Sequence, residues 1–523
     1  MADDADREMR SNSTPVACGD TYVDARALML PLLIALLPLT ALATMFFILP
    51  VLAPAIMTTA GLRAENFGWL GGAVGLGSVL FFLTNHAITP VFGPLGTLRL
   101  GMVLAIAGGV LFFAHSWVLM VVGSLLVGFG YSTTTPTGSQ ILADFTPRSA
   151  WGTLFSIRQA GVPAGGIVAA AIASATLSLY GWTTSMGVTL MLLAMVAGAL
   201  VVVPRRFNAS RPLELFSAQR LFDINNIVRP YRIVRSVRGL PTLVAAGCGL
   251  AMSHGAVTQF FVLYLHSLGA ALTDAAALFA LVQTCAMAGR IVFGGVADKM
   301  GSSRIVLLIL APLSAAASGL LAFYSVDWSL TGQVVAAIII GLTVGTWNGL
   351  YLAEIARLVT PAMVASATAS SAVFTFVTYM ITPPLVGTLA SNFGWRSGFL
   401  AVAMAPIGAG LLLAWHQATA GNSAIPVTLL GSVEPSHARS PVGQGRRSVA
   451  VLNAPGITAA LCVAIVAVLG SQQYARLGSA TQREGLRFDA DAISRDRGGG
   501  QIPADARPDA WRATVNFSTR APR

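Results

Sequence analysis

GRIVFGGVADKMGSSR, Gly289–Arg304, lies between two long apolar runs, Ala275–Ala297 and Ile305–Phe323. Its spacing reads as a tight reversal between two membrane-spanning helices. Gly294 leaves room for a neighbouring helix to approach closely. Asp298 closes the first span, where a carboxylate can face another helix N-terminus or a nearby cation. Gly301 permits the reversal into the next span. Arg290 stands eight residues before Asp298, inside the apolar run. At 1.5 Å per residue it lies roughly 12 Å from the turn. An arginine at a span's centre costs about 2.5–3.5 kcal/mol on insertion scales, so it is expected to face a wet cavity or a partner. Its reach of about 6–7 Å is shorter than that depth, which leaves snorkelling insufficient.

The whole chain agrees with a membrane setting. Its 523 residues are 55% hydrophobic and only 10% charged, with a mean hydropathy of +0.72. A soluble domain carries about 25% charge, which excludes a large soluble enzyme. The net charge of +11 would suggest nucleic acid in a soluble protein. Here the excess of basic residues in the inner loops of a membrane protein explains it, and no nucleic acid is expected. Lysine occurs once, at Lys299, and arginine supplies the rest, a bias that points to a GC-rich bacterial genome. Four scattered cysteines, Cys18, Cys248, Cys285 and Cys462, have neither metal-ligand nor disulfide spacing.

Working outward, twelve apolar segments approach the ~20 residues that a bilayer requires. They are expected at 28–57, 67–89, 98–115, 117–142, 153–179, 182–203, 240–266, 275–297, 304–324, 331–354, 364–390 and 396–416. We number them spans 1 to 12. With the N-terminus inside, the inner loops carry Arg99, Arg148, eight arginines between Arg205 and Arg238, Lys299, Arg304 and Arg357. The outer loops carry Arg63 and Arg396 alone. Thirteen against two places the N-terminus in the cytoplasm.

The organisation follows from the one long charged connection. A cytoplasmic tail, 1–26, precedes a six-helix bundle at 27–203, a cytoplasmic central loop at 204–239 and a second six-helix bundle at 240–416. SLYGW at Ser178–Trp182 recurs as SNFGW at Ser391–Trp395, and Gly93 matches Gly301. Near-constant offsets indicate two copies of one six-helix unit, with a central site between them. Residues 417–523 read as mostly disordered, with a possible extra hydrophobic segment at 449–470. The fold class is therefore an all-α membrane protein.

Gly294, Asp298, Lys299 and Gly301 reproduce the signature G-x-x-x-D-[R/K]-x-G, which resembles the turn between helices 8 and 9 of the major facilitator superfamily of transporters. The resemblance covers residues ~28–416 and implies the major facilitator fold, twelve transmembrane helices as two six-helix pseudo-repeats. It also implies a multi-pass monomer in the bacterial cytoplasmic membrane, with no cofactor and no metal. The stretch from His254 to Asp298 is similar to the monocarboxylate and oxalate/formate porters, in which an arginine at the position of Arg290 contacts the substrate carboxylate. Monocarboxylate porters often carry an aspartate one turn earlier, where this chain has Ala286. Proton coupling of that type is therefore not expected. YSTTTPTGSQI (Tyr131–Ile141) and FSIRQAGVPAGG (Phe155–Gly166) resemble helices 4 and 5 of cyanate-permease-like bacterial porters.

The candidate site is built around one absence. Asp144, Glu354 and Asp298 all fall at span ends, so the sequence offers no buried carboxylate to relay protons. His86 and His254 are titratable substitutes or hydrogen-bonded packing residues. Arg290 is read as facing a bound anion. Arg158 is either a second cation at the cavity or an interfacial anchor, with Gln159 beside it. Tyr131, Ser132, Thr133, Thr134 and Gln140 line the cavity or satisfy their own backbone. Trp347, Asn348 and Tyr351 lie within one turn of span 10, while Gln259 is five residues after His254 and off its face. Gly161, Pro163 and Gly165, with Gly166, let span 5 bend and pack tightly. The chain is thus expected to move a small anion, a carboxylate, by alternating access. A drug or metabolite efflux porter, for which no buried acid is visible, and a non-transporting receptor on the same fold are the alternatives. An enzyme would need convergent nucleophile, base or metal ligands, and none appears.

Overall fold

The computed structural model describes residues 25–146, 151–208, 223–360 and 363–421. Most of the N-terminal tail 1–26, Arg148, Arg211, Arg220 and the region after Gly421, with its apolar segment 449–470, lie outside them. Every regular element described is helical. In chain order these are α1 (Ala25–Val51), α2 (Ala53–Ala60), α3 (Ala64–Leu111), α4 (Trp117–Ser132), α5 (Thr134–Phe145), α6 (Trp151–Val201) and α7 (Asn225–Ser236). There follow α8 (Leu240–Ser267), α9 (Leu272–Met300), α10 (Ser303–Leu321), α11 (Leu330–Val344), α12 (Trp347–Leu358), α13 (Val364–Phe393) and α14 (Trp395–Gly421).

Among the described residues, ten helical stretches are long and apolar enough to cross a membrane. Two of them are twice the needed length, because α3 and α6 each reverse direction at a glycine. Gly93 has φ 71°, ψ 168° and Gly181 has φ 77°, ψ 173°. That region is essentially reserved for glycine, so each marks the junction of two spans. Counting α3 and α6 as two spans each gives twelve, as expected.

The repeat is visible in the backbone. Gly394, the partner of Gly181 in SNFGW, adopts φ 82°, ψ 161°. The tryptophan after each glycine packs into its own bundle. Trp182 stacks on Phe113 and donates from Nε1 to Thr59 Oγ1 at 3.2 Å, while Trp395 packs on Phe260, Tyr264 and Phe399. The other proposed pair is not conformationally equivalent, since Gly301 has φ 65°, ψ 10°.

Three features depart from the sequence reading. Span 4 is divided at Thr133, and span 10 at Gly345–Thr346, so each is two short helices in line. The last helix continues to Gly421, past the expected end at 416. The connection 204–239 carries a helix, α7, whose 3–4 residue spacing of packed positions is masked by its arginines.

Small residues let the two bundles meet at backbone distance. A Cβ on Gly68 would lie 2.4 Å from the Pro383 carbonyl oxygen, and one on Gly75 would lie 2.5 Å from Met380 Cα. Gly387 approaches the Ala64 carbonyl in the same seam. On the other side of the interface, Gly166 of α6 faces the Gln283 side chain of α9. We call the end of the bundle bearing Arg99, Lys299, Arg304 and Arg357 the basic face. A Cβ at Gly181 meets nothing within 4 Å, so its requirement for glycine is conformational alone. Gly181→Ala is expected to cost about 1–3 kcal/mol in unfolding measured by thermal melting in detergent. Gly187→Ala, helical and facing open space, should cost nothing by the same measurement.

Candidate functional site

The site begins at interruptions in three spans. Pro163 has no N–H, so the carbonyl four residues earlier, that of Gln159, lacks its helical donor. The break between α11 and α12 leaves the Gly345 carbonyl outside either helix. Arg290 of α9 uses both. Its Nη1 donates to Gln159 O at 3.0 Å, and its Nε donates to Gly345 O at 3.1 Å. One guanidinium therefore ties α6 of the N-terminal bundle to α9 and the α11–α12 break of the C-terminal bundle.

The approach of Gly345 depends on a small neighbour. A Cβ on Gly345 would sit 2.5 Å from the Ala286 Cβ, and one on Gly341 would sit 2.4 Å from the Val282 carbonyl oxygen. Ala286 is the position one helical turn before Arg290. Here its small size admits the α11–α12 break that serves Arg290.

Arg158 is more enclosed than Arg290, at 2% exposed. Its Nη2 donates to the carbonyls of Thr134 (2.7 Å) and Thr135 (3.2 Å), and its Nη1 donates to Ser139 Oγ at 3.2 Å. Its buried Nε has no partner among the described residues. Gly138 makes the space, since a Cβ there would lie 2.7 Å from Nε. These contacts do not resemble an anchor at the lipid interface. Among the described residues, no carboxylate forms an ion pair with Arg158 or Arg290.

Aromatic hydroxyls and rings complete the cluster. Tyr131 lies within electrostatic reach of both arginines, and its ring is 4.8 Å from that of Phe46. His254 Nδ1 shares a 2.7 Å hydrogen bond with the Tyr379 hydroxyl. The edge of Trp347 is set against His254 at 6.4 Å. Tyr379 also lies within reach of Arg290 and Tyr131. The structure thus brings together Tyr131, Arg158, Gln159, His254, Arg290 and Trp347. Tyr379 escaped the sequence reading, although a tyrosine in an apolar span needs a partner for its hydroxyl.

The other expected residues make different contacts. Gln259 is against Gly71 and helps line a cavity of about 20 Å³ with Phe46, Thr258, Phe376 and Tyr379. That is room for about one water. Asn348 is half-buried and makes no hydrogen bond among the described residues. Gln140 is exposed. Thr133, Thr134, Thr137 and Ser139 all turn their hydroxyls to carbonyls of their own helix turn.

The turn motif is also rearranged relative to its sequence reading. Gly294 faces open space rather than a tightly packed helix. Gly301 does close the helix, its N–H bonding Asp298 O while Ser302 N–H bonds Ala297 O. Asp298 is 84% exposed and lies 3.8 Å from Arg357, which also donates to the Gly301 carbonyl. Lys299 is exposed. Gly161 and Gly165 press on Leu36, Thr40 and Ala43 of α1, a close packing within the N-terminal bundle. Contrary to the expectation of no buried carboxylate, Glu354 is buried, and it is ion-paired with Arg304 at 3.2 Å.

A sequence profile of the Major Facilitator Superfamily matches residues 34–370, more than half the chain. The chain belongs to the Major Facilitator Superfamily. It is accordingly a multi-pass membrane transporter with twelve transmembrane helices. Solved structures of major facilitator transporters share its fold. A mutant of the nucleoside transporter NupG is 15% identical, with a TM-score of 0.59 over 74% of this chain and 99% of that one. A bacterial homologue of the human lysosomal transporter Spinster, inward-facing and unoccupied, is 18% identical, with a TM-score of 0.58 over 76% and 98%. A POT family transporter in complex with 5-aminolevulinic acid is 12% identical, with a TM-score of 0.60 over 74% and 96%. A search of curated protein sequences gave no match.

In a major facilitator transporter the two bundles must part and rejoin, so the Arg290–Gln159 tie bears on their equilibrium. Pro163→Ala returns a helical donor to Gln159 O and is expected to weaken the tie. A charge-assisted hydrogen bond contributes about 1.5–3 kcal/mol, which corresponds to a population shift of roughly tenfold or more. Spin labels at Val202→Cys and Met300→Cys, with native cysteines replaced, should report that shift as a longer inter-bundle distance in pulsed resonance.

Proposed function

We propose that this transporter moves a small anion, a carboxylate, by alternating access around Arg290. The observation that carries the reading is a pair of interior arginines whose partners are backbone carbonyls and one hydroxyl, with no carboxylate paired to either among the described residues. Two positive charges in a low-dielectric interior favour a negatively charged guest.

The guanidinium's donors match the paired oxygens of a carboxylate, which accept charge-assisted hydrogen bonds stronger than those to a neutral carbonyl. A bound carboxylate therefore competes with Gln159 O for Arg290. Binding draws the guanidinium from the N-terminal bundle, and loading is thereby coupled to release of the tie. Tyr131 and Tyr379 offer hydroxyl donors beside the arginines, and Arg158 supplies a fixed positive field from α6. The Trp347 ring meets His254 beside Tyr379.

Ion pairing holds Glu354 with Arg304, and Ala286 replaces the relay acid. We therefore read the cycle as exchange or facilitated movement rather than carboxylate-relayed proton symport. The charge bias of the connecting loops supports reading the basic face as cytoplasmic, in a bacterial inner membrane.

Counterflow of labelled small carboxylates into proteoliposomes tests the reading. Arg290→Leu should reduce uptake by about 100-fold, the equivalent of a lost charge-assisted pair near 3 kcal/mol. Arg290→Lys, which keeps the charge and loses the fork, should raise KM more than it lowers kcat. Wild-type counterflow driven by cationic drugs but not carboxylates would overturn the anion assignment, and so would unchanged uptake by Arg290→Leu.

A further inference from the structure

Outside the transport site, the most unusual surface belongs to α7, in the connection between the two bundles. Its sequence, NNIVRPYRIVRS, makes three faces. Pro230 and Val234 are buried on the face that packs against α13 and α8. A second stripe is apolar and exposed, with Ile224 at 67%, Ile227 at 59% and Tyr231 at 54%. Their spacing of three and four residues aligns them along one side of the helix. Arg229, Arg232, Arg235 and the following Arg238 are exposed. Arg235 Nη1 donates to the Tyr231 hydroxyl at 2.8 Å, which draws one charge over the apolar stripe. Among the described residues, no carboxylate forms an ion pair with these arginines.

The position of α7 relative to the bilayer follows from chain length. Three residues, 237–239, separate it from α8, and Gly239 turns the chain with φ 84°. Three residues span at most about 11 Å. The 28 residues of α8 extend about 42 Å at 1.5 Å each, against a hydrocarbon core of about 30 Å and about 40–45 Å with headgroups. The start of α8 therefore lies in the headgroup layer, and the C-terminal end of α7 lies beside it.

An apolar ridge flanked by arginines that pair with no carboxylate among the described residues fits one chemistry at that depth. We propose that α7 is an interfacial helix that binds anionic phospholipid. Ile224, Ile227 and Tyr231 enter the boundary between headgroups and acyl chains, and Arg229, Arg232, Arg235 and Arg238 receive the phosphodiester groups. Loop arginines that merely set topology account for the charge, but they do not require an exposed Ile–Ile–Tyr ridge. Because α7 also packs against α3 and α13, one from each bundle, bound lipid would brace the basic face across the interface.

The test uses the full chain, with native cysteines replaced and a nitroxide at Ile227→Cys, in vesicles of phosphatidylcholine alone or with phosphatidylglycerol added. The label's accessibility to oxygen, relative to a water-soluble nickel chelate, should rise several-fold with phosphatidylglycerol and fall back at high salt. The combined Arg229→Gln, Arg232→Gln and Arg235→Gln variant should lose that response. A label open to nickel in both lipids would overturn the proposal, showing a solvated loop helix. Protection in both lipids that is indifferent to phosphatidylglycerol would also overturn it, in favour of a protein contact or lipid insertion without preference for anions. Carboxylate counterflow by the triple variant separates this proposal from the transport reading, since the arginines of α7 lie outside the transport site.

Discussion

A single guanidinium with acceptors in both bundles is the constraint around which the interior is arranged. Arg290 cannot be left bare at that depth, and the structure meets its demand with two carbonyls freed by helix interruptions. Pro163 frees one and the Gly345–Thr346 break frees the other. The small Ala286 and Gly345 pair then permits the approach that brings the second carbonyl within reach. Several residues that look unrelated in sequence thus answer one electrostatic requirement.

The second buried arginine follows the same logic within one bundle. Arg158 is satisfied by carbonyls of α5 and by Ser139, in space left by Gly138. Neutral dipoles solvate a buried cation without cancelling its charge. A carboxylate partner would cancel it and remove the field that favours an anion. The chemistry of the acceptors, more than their number, therefore distinguishes this interior from an ordinary ion-paired core.

Much of the fold was legible because membrane spans declare themselves by length and hydropathy, and the basic loops separate them. SLYGW and SNFGW announced the repeat, and their glycines adopt nearly the same backbone conformation. The site was legible where an expensive residue stood in an apolar run, as with Arg290. It was less legible where partners come from backbone. No side-chain pattern says that the Gln159 carbonyl is free, although Pro163 four residues later carries that information. Tyr379 was overlooked because one tyrosine in an aromatic-rich span has no periodicity to mark it. The turn motif misled at Gly294, since spacing alone does not say whether a neighbour is present. The loop helix was concealed because charge dominated a reading that its packed face should have informed.

The seam between α3 and α13 has a mechanical consequence. Gly68, Gly75 and Gly387 meet the opposing helix with bare backbone, so side chains interlock at few places along it, Phe82 on Phe376 among them. Such a joint has few teeth to disengage. Separating or sliding its two sides forfeits dispersion contacts but forces few side chains to re-pack. Smooth surfaces of this kind behave as a bearing, whereas the guanidinium at the centre acts as a catch.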